Sequence, residues 1–382
     1  MSEWKLKDCC LSISDGDHLP PPKTDKGIPF ITISNISSTN HIDFKDTLFV
    51  PKAYYDNLDK IRKPQPNDII YSVVGSFGKP VLIKENKQFV FQRHIAILRP
   101  NNEVVDSRFL YYIMLSRDFY MQADTVAIGA AQRTISLTSL RNMKVNLPPL
   151  PIQHRIATIL SRYDSLIENY QKQIKLLEEA AQRLYKEWFV DLHFPGHENT
   201  KIIDGVPEGW EKKKVGDMIS KIQRTKQVTT NNYQASGKIP VIDQSRNYIA
   251  GYTDDAECLV KVTVPYIVFG DHTRILKYIP FSFAKGADGT QLIMSNDLER
   301  MPQTLFYNSL IEIDLSNYSY ARHFKYLKEE FVLLPSEYIA RKYDSIVLRY
   351  YQSIQKSREQ ISFLTEARDR LLPKLMSGEI AV

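Results

Sequence analysis

The sequence contains few cysteines and no long apolar segment. Its three cysteines, Cys9, Cys10 and Cys258, fit neither a disulfide framework nor paired Cys-x-x-Cys zinc motifs, because two are adjacent and the third is distant. We therefore expect reduced thiols with a structural role. No run of about 18 apolar residues is present, and the amino terminus lacks the apolar stretch of a signal peptide. These absences argue against a membrane span and predict a protein of the cytoplasm.

A strong charge of either sign is also absent. The 50 Lys and Arg residues face 44 Asp and Glu residues, which leaves a formal net charge of +6 over 382 residues. A balance this small permits nucleic-acid binding without requiring it. The hydrophobic fraction of 43% is sufficient for two or three domains that each bury a core.

The most informative feature is an internal repeat. Residues 137–148 read LTSLRNMKVNLP and residues 324–335 read FKYLKEEFVLLP, with a constant offset of 187 positions. The same offset places LLEEAAQRL at 176–184 over FLTEARDRL at 363–371. Because a single register covers both pairs of segments, the chain contains two copies of one structural plan.

Each copy ends in a segment with helical periodicity. Apolar residues recur at steps of three and four over residues 156–188 and again over residues 343–375. Gly378 is a suitable stop for the second helix, and Pro373 should weaken its last turn. Two matching narrow stripes predict two long antiparallel helices that pair as a coiled coil.

The regions before the two helices correspond loosely. Trp4 and Trp210 each precede a basic segment, and residues 27–30 (GIPF) match residues 238–241 (KIPV). Both regions also contain short β-branched or aromatic runs broken by turn residues, such as IIYSVVGSFGKPVLI and YIVFGDHTRILKYI. We therefore predict an α+β fold: two mixed α/β domains joined by two long antiparallel helices, with an internal pseudo-two-fold repeat.

The repeat also predicts the domain boundaries. Residues 1–146 and 196–334 would form the two mixed domains, and residues 147–195 and 335–382 would hold the long helices with a linker and a tail. Since the second domain links the end of one helix to the start of the other, we expect the two domains at opposite ends of the helical pair.

These motifs resemble the specificity subunits of type I restriction-modification systems. The resemblance is carried by LPPLPIQ at 147–153, LYKEWF at 184–189, PEGW at 207–210 and RLLPKLMSGEI at 370–380. It covers nearly the whole chain, and the helical regions carry most of it. The second copy departs from the pattern at 334–338, where LPSEY replaces the Pro-rich segment. That departure removes the motif that would mark the start of the second helix.

The resemblance implies a division of labour among subunits. Each mixed domain would be a target recognition domain that reads one half of a bipartite site in double-stranded DNA. The helices would set the spacing between the halves and dock two methyltransferase subunits, joined in some systems by two restriction subunits. S-adenosylmethionine, ATP and Mg²⁺ would be cofactors of those partners. This chain would bind none of them, would contact no membrane and would have no catalytic centre.

Motifs of catalytic sites fail on spacing or composition. Residues 146–150 (NLPPL) lack the aromatic residue of the base-holding loop of adenine methyltransferases, and residues 75–79 lack the spacing of a phosphate loop. Residues 211–213 (EKK) lack the preceding aspartate of a nuclease motif. His193 and His197 cannot share a helical face, because a Pro-Gly pair separates them. An enzymatic function is therefore disfavoured, and we expect no metal site.

Two alternatives remain open at this point. The chain could be a coiled-coil adaptor whose globular domains bind proteins, or the specificity subunit of a system that only methylates. DNA binding through phosphates weakens steeply as the ionic strength rises, whereas an apolar adaptor contact does not.

Polar, cationic loops are the candidates for contacts with base edges and phosphates. Arg and Lys can donate to guanine or phosphate, and Gln can pair with adenine. Phe324 belongs to the core pattern, which should orient the polar residues of segment 320–325 outward. The candidates are Ser76, Lys79, Gln92, Arg93, His94, Gln132 and Arg133 in the first copy, and His272, Arg274, Lys285, Gln291, Tyr320, Arg322, His323 and Lys325 in the second.

Overall fold

The chain folds into two compact units, the first of which draws on two separate stretches of sequence. The first contains Met1–Glu168 and Ser362–Val382, and the second contains Asn169–Ile361. Each unit therefore includes part of both long helices. The computed structural model describes residues 2–16, 21–37, 40–130, 132–223, 225–318 and 322–382.

Short strands and helices precede the long helix in the first unit. The strands are β1 (Ser2–Lys5), β2 (Cys10–Asp15), β3 (Ile28–Ile31), β4 (Leu48–Val50), β5 (Ile69–Ser72), β6 (Pro80–Leu82), β7 (Val90–Phe91), β8 (Ile95–Pro100) and β9 (Lys144–Leu147). The helices are α1 (Leu6–Cys9), α2 (Lys52–Asn57), α3 (Ser107–Leu115), α4 (Arg117–Val126), α5 (Leu137–Asn142) and α6 (Leu150–Tyr185), of which α6 continues into the second unit.

The second unit is composed in the same way. Its strands are β10 (Ile202–Ile203), β11 (Val206–Pro207), β12 (Glu211–Lys214), β13 (Ile239–Ile242), β14 (Gly251–Thr253), β15 (Leu259–Val260), β16 (Tyr266–Gly270), β17 (Leu276–Ile279), β18 (Phe283–Lys285), β19 (Thr290–Ile293) and β20 (Phe331–Leu334). Its helices are α7 (Gln303–Ile311), α8 (His323–Glu329) and α9 (Glu337–Ser377), of which α9 continues into the first unit.

Both units repeat one pattern of strand pairing. Strand β5 lies between β6 and β8 with antiparallel neighbours, as β16 lies between β17 and β19. Strand β3 pairs antiparallel with β4 and parallel with β7, and β13 pairs in the same senses with β14 and β18. The ladders β1–β9 and β12–β20 also correspond. The predicted α+β class and the internal repeat are therefore confirmed.

The central strand of each unit is buried on both faces. In β5, Ile69 and Tyr71 belong to one core cluster, and Ile70 belongs to another. In β16, Ile267 and Val268 divide in the same way between two clusters. Because successive side chains of a strand point to opposite faces, a continuous apolar run is what a strand between two cores requires.

The offset of 187 positions is confirmed around the long helices. Strand β9 begins at Lys144 and β20 at Phe331, while α6 begins at Leu150 and α9 at Glu337. Both pairs differ by 187. The second helix thus begins at the repeated position although its Pro-rich motif is missing.

The proposed equivalence of Trp4 and Trp210 is wrong. Trp4 pairs with Val145 in the first ladder, whereas Lys213 pairs with Val332 in the second. Because Val145 and Val332 are 187 apart, Lys213 is the counterpart of Trp4. Trp210 instead precedes β12 and packs against Phe194, with ring centroids 4.6 Å apart.

The long helices pair within each unit. In the second unit, Arg358 Nη2 donates to Glu178 Oε1 at 2.9 Å, and Tyr343 Oη donates to the Ala181 carbonyl oxygen at 3.3 Å. One helix ascends in number while the other descends, so the pair is antiparallel. Helix α9 continues through Pro373 to Ser377, and Gly378, with φ of +79°, follows its end. Along the described part of the chain, no helix combines the length and apolarity needed to cross a membrane.

Polar contacts fix the first mixed domain onto the helices. Tyr112 Oη of α3 donates to Asp164 Oδ2 of α6 at 2.5 Å, and Arg368 Nη1 of α9 donates to Asp164 Oδ1 at 2.8 Å. One turn further along α6, Glu168 lies between His41 and Lys84 of the mixed domain. These carboxylates hold the domain at a defined place on the helical surface.

The pH dependence of stability should reveal the Glu168 contact. Hydrogen bonding from His41, and then the contact with Lys84, lower the pKa of Glu168 from 4.5 to about 2. Because the folded-state pKa is depressed, the stabilisation is present above about pH 4.5 and is lost as the pH falls toward 2. Since the side chains of His41 and Lys84 are both half exposed, we expect Glu168→Gln to lower the free energy of unfolding by only about 1 kcal/mol at pH 6.

Urea unfolding of both proteins between pH 3 and pH 7 would measure this difference. Glu85→Gln, which removes an exposed carboxylate of the same unit, is the matched control. A Glu168→Gln deficit that stays constant down to pH 3 would show that charge on Glu168 is not the cause.

Candidate nucleic-acid interface

Three predicted loops of the first unit lie side by side at the end of β5. The Val73 amide donates to the His94 carbonyl oxygen at 3.0 Å, and the Gly75 amide donates to the Arg133 carbonyl oxygen at 2.9 Å. These bonds join the turn after β5, the turn before β8 and the segment before α5. The structure therefore brings together candidates that are up to about 60 residues apart in the sequence.

Arg133 is held by groups of its own unit. Its guanidinium forms an ion pair with Asp124 and lies 5.5 Å from the ring centroid of Phe77. Phe77 in turn stacks on Tyr120, with centroids 5.8 Å apart. Arg133 thus braces the turn after β5, and other side chains form the outer part of the face. Ser76, Arg93 and Gln132 are exposed, while Lys79, Gln92, His94 and Arg133 are half-buried.

His94 has a defined electrostatic environment in this face. Burial, followed by the charge of neighbouring Arg93, lowers the pKa of His94. The lowered pKa favours the neutral imidazole, which has one hydrogen-bond donor and one acceptor. Such a ring can pair with either kind of group on a base edge.

The second unit brings together loops at the corresponding place. The Asp271 amide donates to the Gly289 carbonyl oxygen at 2.7 Å, and the His323 amide donates to the Asp271 carbonyl oxygen at 2.9 Å. The turn after β16, the turn before β19 and the start of α8 are therefore adjacent. Their order along the chain matches that of the three loops of the first unit.

Gln244 connects these loops and was not among the sequence candidates. Its Oε1 accepts from the His272 amide at 3.1 Å, and its Nε2 donates to the Asp288 carbonyl oxygen at 3.0 Å. Its own carbonyl oxygen accepts from Thr273 Oγ1 at 2.7 Å. Gly289, with φ of +71°, leaves room for the amide, because a Cβ there would lie 2.7 Å from Gln244 Nε2. Only the match of 238–241 to 27–30 hinted at this segment.

The expected outward orientation of His323 is wrong. Its ring is 6% exposed, with Nδ1 and Nε2 each 2.9 Å from a carbonyl oxygen, of Asp271 and Tyr318 respectively. The physical reason is that both polar atoms of the ring meet backbone acceptors inside the unit. Arg322 and Lys325 are exposed, as the pattern predicted. Tyr320 lies outside the described residues.

The remaining candidates of the second unit differ in accessibility. His272 and Arg274 are exposed, and Arg274 Nη1 donates to the Leu315 carbonyl oxygen at 3.1 Å. Lys285 and Gln291 are half-buried members of strands β18 and β19. They flank the turn before β19. The exposed part of the face therefore consists mainly of His272, Arg274, Arg322 and Lys325.

The chemistry of the described residues offers no arrangement typical of a metal centre. Among the described ranges, no group of three or more His, Cys, Asp or Glu side chains is placed to hold a metal ion. Cys9, Cys10 and Cys258 are all unbridged, in agreement with the expectation from their spacing.

The two copies of one topology each carry a polar loop face at the same end of their central strand, so the chain has two equivalent surfaces. Residues 2–179 match the protein family described as the type I restriction modification DNA specificity domain. This match covers slightly less than half of the chain, and the chain is similar to the specificity subunits of type I restriction-modification systems.

Individual relatives show the same similarity. The type I restriction enzyme MjaIX specificity subunit of Methanocaldococcus jannaschii is 26% identical over 311 residues, which cover 74% of this chain and 71% of that protein. The putative MjaX specificity subunit of the same organism is 29% identical over 227 residues, with coverages of 56% and 52%. The crystal structure of a type I restriction-modification S subunit from M. genitalium has a TM-score of 0.58 at 18% identity, with coverages of 98% and 95%. That likeness shows a shared fold.

Proposed function

We propose that this chain selects the DNA sequence on which a type I restriction-modification complex acts. The observation that carries this proposal is the repeated loop face at the ends of β5 and β16. In the proposal, the mixed domains at 1–146 and 196–334 each read one half of a bipartite site in double-stranded DNA. The helical regions at 147–195 and 335–382 set the spacing and bind two methyltransferase subunits, with two restriction subunits where the system cleaves.

The exposed side chains of the two faces suit direct contact with DNA. Arg93 and Arg322 have the planar donor fork that recognises guanine or phosphate. Gln132 can pair with adenine through both amide atoms, and Lys325 can contact a phosphate as a point charge. Phosphate contacts would position each domain, and contacts with base edges would specify the sequence.

The proposal assigns the chemical steps to partner subunits. S-adenosylmethionine would be bound by the methyltransferase subunits, and ATP and Mg²⁺ by the restriction subunits. The residues of this chain would contribute affinity, register and sequence preference. The exposed Arg, Lys and Gln side chains of the two faces favour DNA over the proteins that an adaptor would bind.

Methylation of genomic DNA tests this function directly. We expect the purified chain alone neither to methylate nor to cut DNA. Together with its methyltransferase partner, it should direct adenine methylation to one bipartite motif, which sequencing of methylated DNA would reveal. The partner without this chain is the control. Activity of the isolated chain, or the same methylation pattern with and without it, would refute the proposal.

A further inference from the structure

A polar segment occupies a position in the second unit that is partly buried in the first. Strand β3 ends at Ile31 and is followed by a 3₁₀ turn, Ile33–Asn35, in which Ile33 packs against the core and Asn35 is 9% exposed. Strand β13 ends at the corresponding residue, Ile242, and is followed by residues 243–247 (DQSRN). Arg246 and Asn247 are exposed. One topological position thus packs on the core in one unit and faces outward in the other.

A buried lysine holds the backbone of this segment. Lys277 Nζ donates to the carbonyl oxygens of Asp243, at 2.7 Å, and Asn247. The Lys277 side chain is only 4% exposed, and burial lowers its pKa to about 8. A buried amine is costly unless it is paired and its hydrogen bonds are satisfied. These two carbonyls, together with the Asp243 carboxylate, whose Oδ1 lies 3.8 Å from Nζ, account for its presence in a core strand.

The first unit shows that the strand itself does not need a lysine. Lys277 pairs with Val268 in β16, and Val81 pairs with Ile70 in β5. Val81 therefore occupies the equivalent position, where it is buried in an apolar cluster. Because a valine occupies this position in the first unit, packing of the strand does not require a lysine. Lys277 therefore acts on residues 243–247, through its hydrogen bonds to their backbone.

Side chains fix both ends of the segment. Asp243 Oδ1 accepts from the Ser245 amide at 2.9 Å and from Ser245 Oγ at 2.6 Å, and Tyr233 Oη donates to Asp243 Oδ2 at 3.3 Å. At the other end, Tyr248 Oη donates to the Tyr278 carbonyl oxygen at 2.7 Å. A segment held in this way presents its tip, Arg246 and Asn247, in a defined position, which lowers the entropic cost of binding.

The tip is continuous with the candidate face of the second unit. Gln244, next to the tip in sequence, joins the turn of His272 and the turn of Asp288 through the hydrogen bonds described above. Arg246 offers a donor fork for guanine or phosphate, and Asn247 has the amide pair that recognises adenine.

We propose that residues 243–247 form a further DNA-reading loop of the second unit, in which Arg246 and Asn247 contact the half-site and Lys277 is the positioning residue. This inference rests on the proposed function, since it assigns specificity within the same site. It predicts that the two units use different numbers of loops to read their halves.

The double variant Arg246→Ala/Asn247→Ala tests the contact. We expect discrimination at one or more positions of one half-site to fall by about 5- to 150-fold, while the other half keeps its base preference. The readout is the methylated motif produced by the full chain with its methyltransferase partner. Lys261→Ala is the matched control. Because β15 is antiparallel to β18 and β18 is parallel to β13, the exposed Lys261 that follows β15 lies at the opposite end of the strands from residues 243–247.

Lys277→Met tests the positioning role. Methionine keeps the apolar stem and removes both hydrogen bonds to the segment together with the positive charge beside Asp243. We expect the same half-site to lose preference as in the double variant, with the other half unchanged. If the Arg246→Ala/Asn247→Ala variant directed methylation to the wild-type motif, the proposed DNA contact would be wrong. If Lys277→Met directed methylation to that motif, its positioning role would be wrong. If the wild-type chain itself yields no bipartite motif, the proposed function fails instead.

Discussion

Replacing Arg99 by Met is expected to lower the free energy of unfolding of the first unit by about 3 kcal/mol. Asp68 is 2% exposed and accepts two hydrogen bonds from Arg99, from Nε at 2.9 Å and from Nη2 at 2.8 Å. Arg99 Nη2 also donates to the Lys63 carbonyl oxygen at 3.0 Å. Removal of the guanidinium would leave a buried carboxylate without its counter-charge.

The size of this effect follows from what remains after the substitution. Breaking a buried ion pair from one side costs about 3–5 kcal/mol. Asp68 keeps one hydrogen bond, from the Gln65 amide at 2.9 Å, so the lower end of that range applies. The pair lies at the end of β8 away from the loop face, so the loss concerns folding rather than contact with DNA.

Urea denaturation of the full chain measures the Arg99→Met effect. The matched control is the double variant Asp68→Asn/Arg99→Met, which removes the charge together with its partner. Its stability should lie between that of the wild type and that of Arg99→Met, because no buried charge is left uncompensated. A double variant as unstable as the single one would contradict this explanation.

The sequence predicted the parts of the fold that depend on local pattern. Apolar runs gave the strands β5, β8 and β16, and stripes at helical spacing gave α6 and α9. The offset of 187 predicted where α9 begins, although the Pro-rich motif is missing there. Each long helix follows a strand, β9 or β20, that pairs with an early strand of the same copy, β1 or β12. Repetition thus supplied information that neither copy contained alone.

Matching by residue type failed where the hydrogen-bond register decides equivalence. Trp4 lies in a ladder and packs against the core of the first unit. Trp210 lies before its ladder and packs against Phe189 and Phe194. Two tryptophans followed by basic residues look alike in a sequence. Structural equivalence depends instead on which residues pair with Val145 and Val332, and these are Trp4 and Lys213.

The candidate site was predicted in outline only. The loops at the ends of β5 and β16 were recognised because polar turn residues interrupt apolar runs. Gln244 and Lys277 were missed because their roles depend on contacts between residues that are 28 to 44 positions apart. A signal for Lys277 was present, since a lysine inside the apolar strand LKYI requires a buried polar partner.

His323→Ala is expected to destabilise the second unit by about 2–3 kcal/mol. The ring lies between the carbonyl oxygens of Asp271 and Tyr318, and its removal leaves buried acceptors with fewer donors. Asp271 retains the donation from the His323 amide, so the loss is smaller than that of two complete hydrogen-bonding sites. The effect should appear as a lower midpoint of urea unfolding.

The flanking pair Arg322→Ala/Lys325→Ala should show the opposite behaviour. Both side chains are exposed, so the free energy of unfolding should change by no more than about 0.5 kcal/mol. Binding to the second half-site should weaken by about tenfold or more, as expected for the loss of about two contacts with phosphates or bases. The salt dependence of this binding should also become less steep. The preference for the first half-site, read from the same methylated DNA, is the internal control.

The two variants together separate packing from DNA contact within one short segment. Loss of stability in His323→Ala, with loss of half-site binding in the exposed pair, is the result that the geometry predicts. If His323→Ala kept wild-type stability and lost the half-site preference, the ring would act at the DNA surface. In that case the outward orientation expected from the sequence pattern around Phe324 would be correct after all.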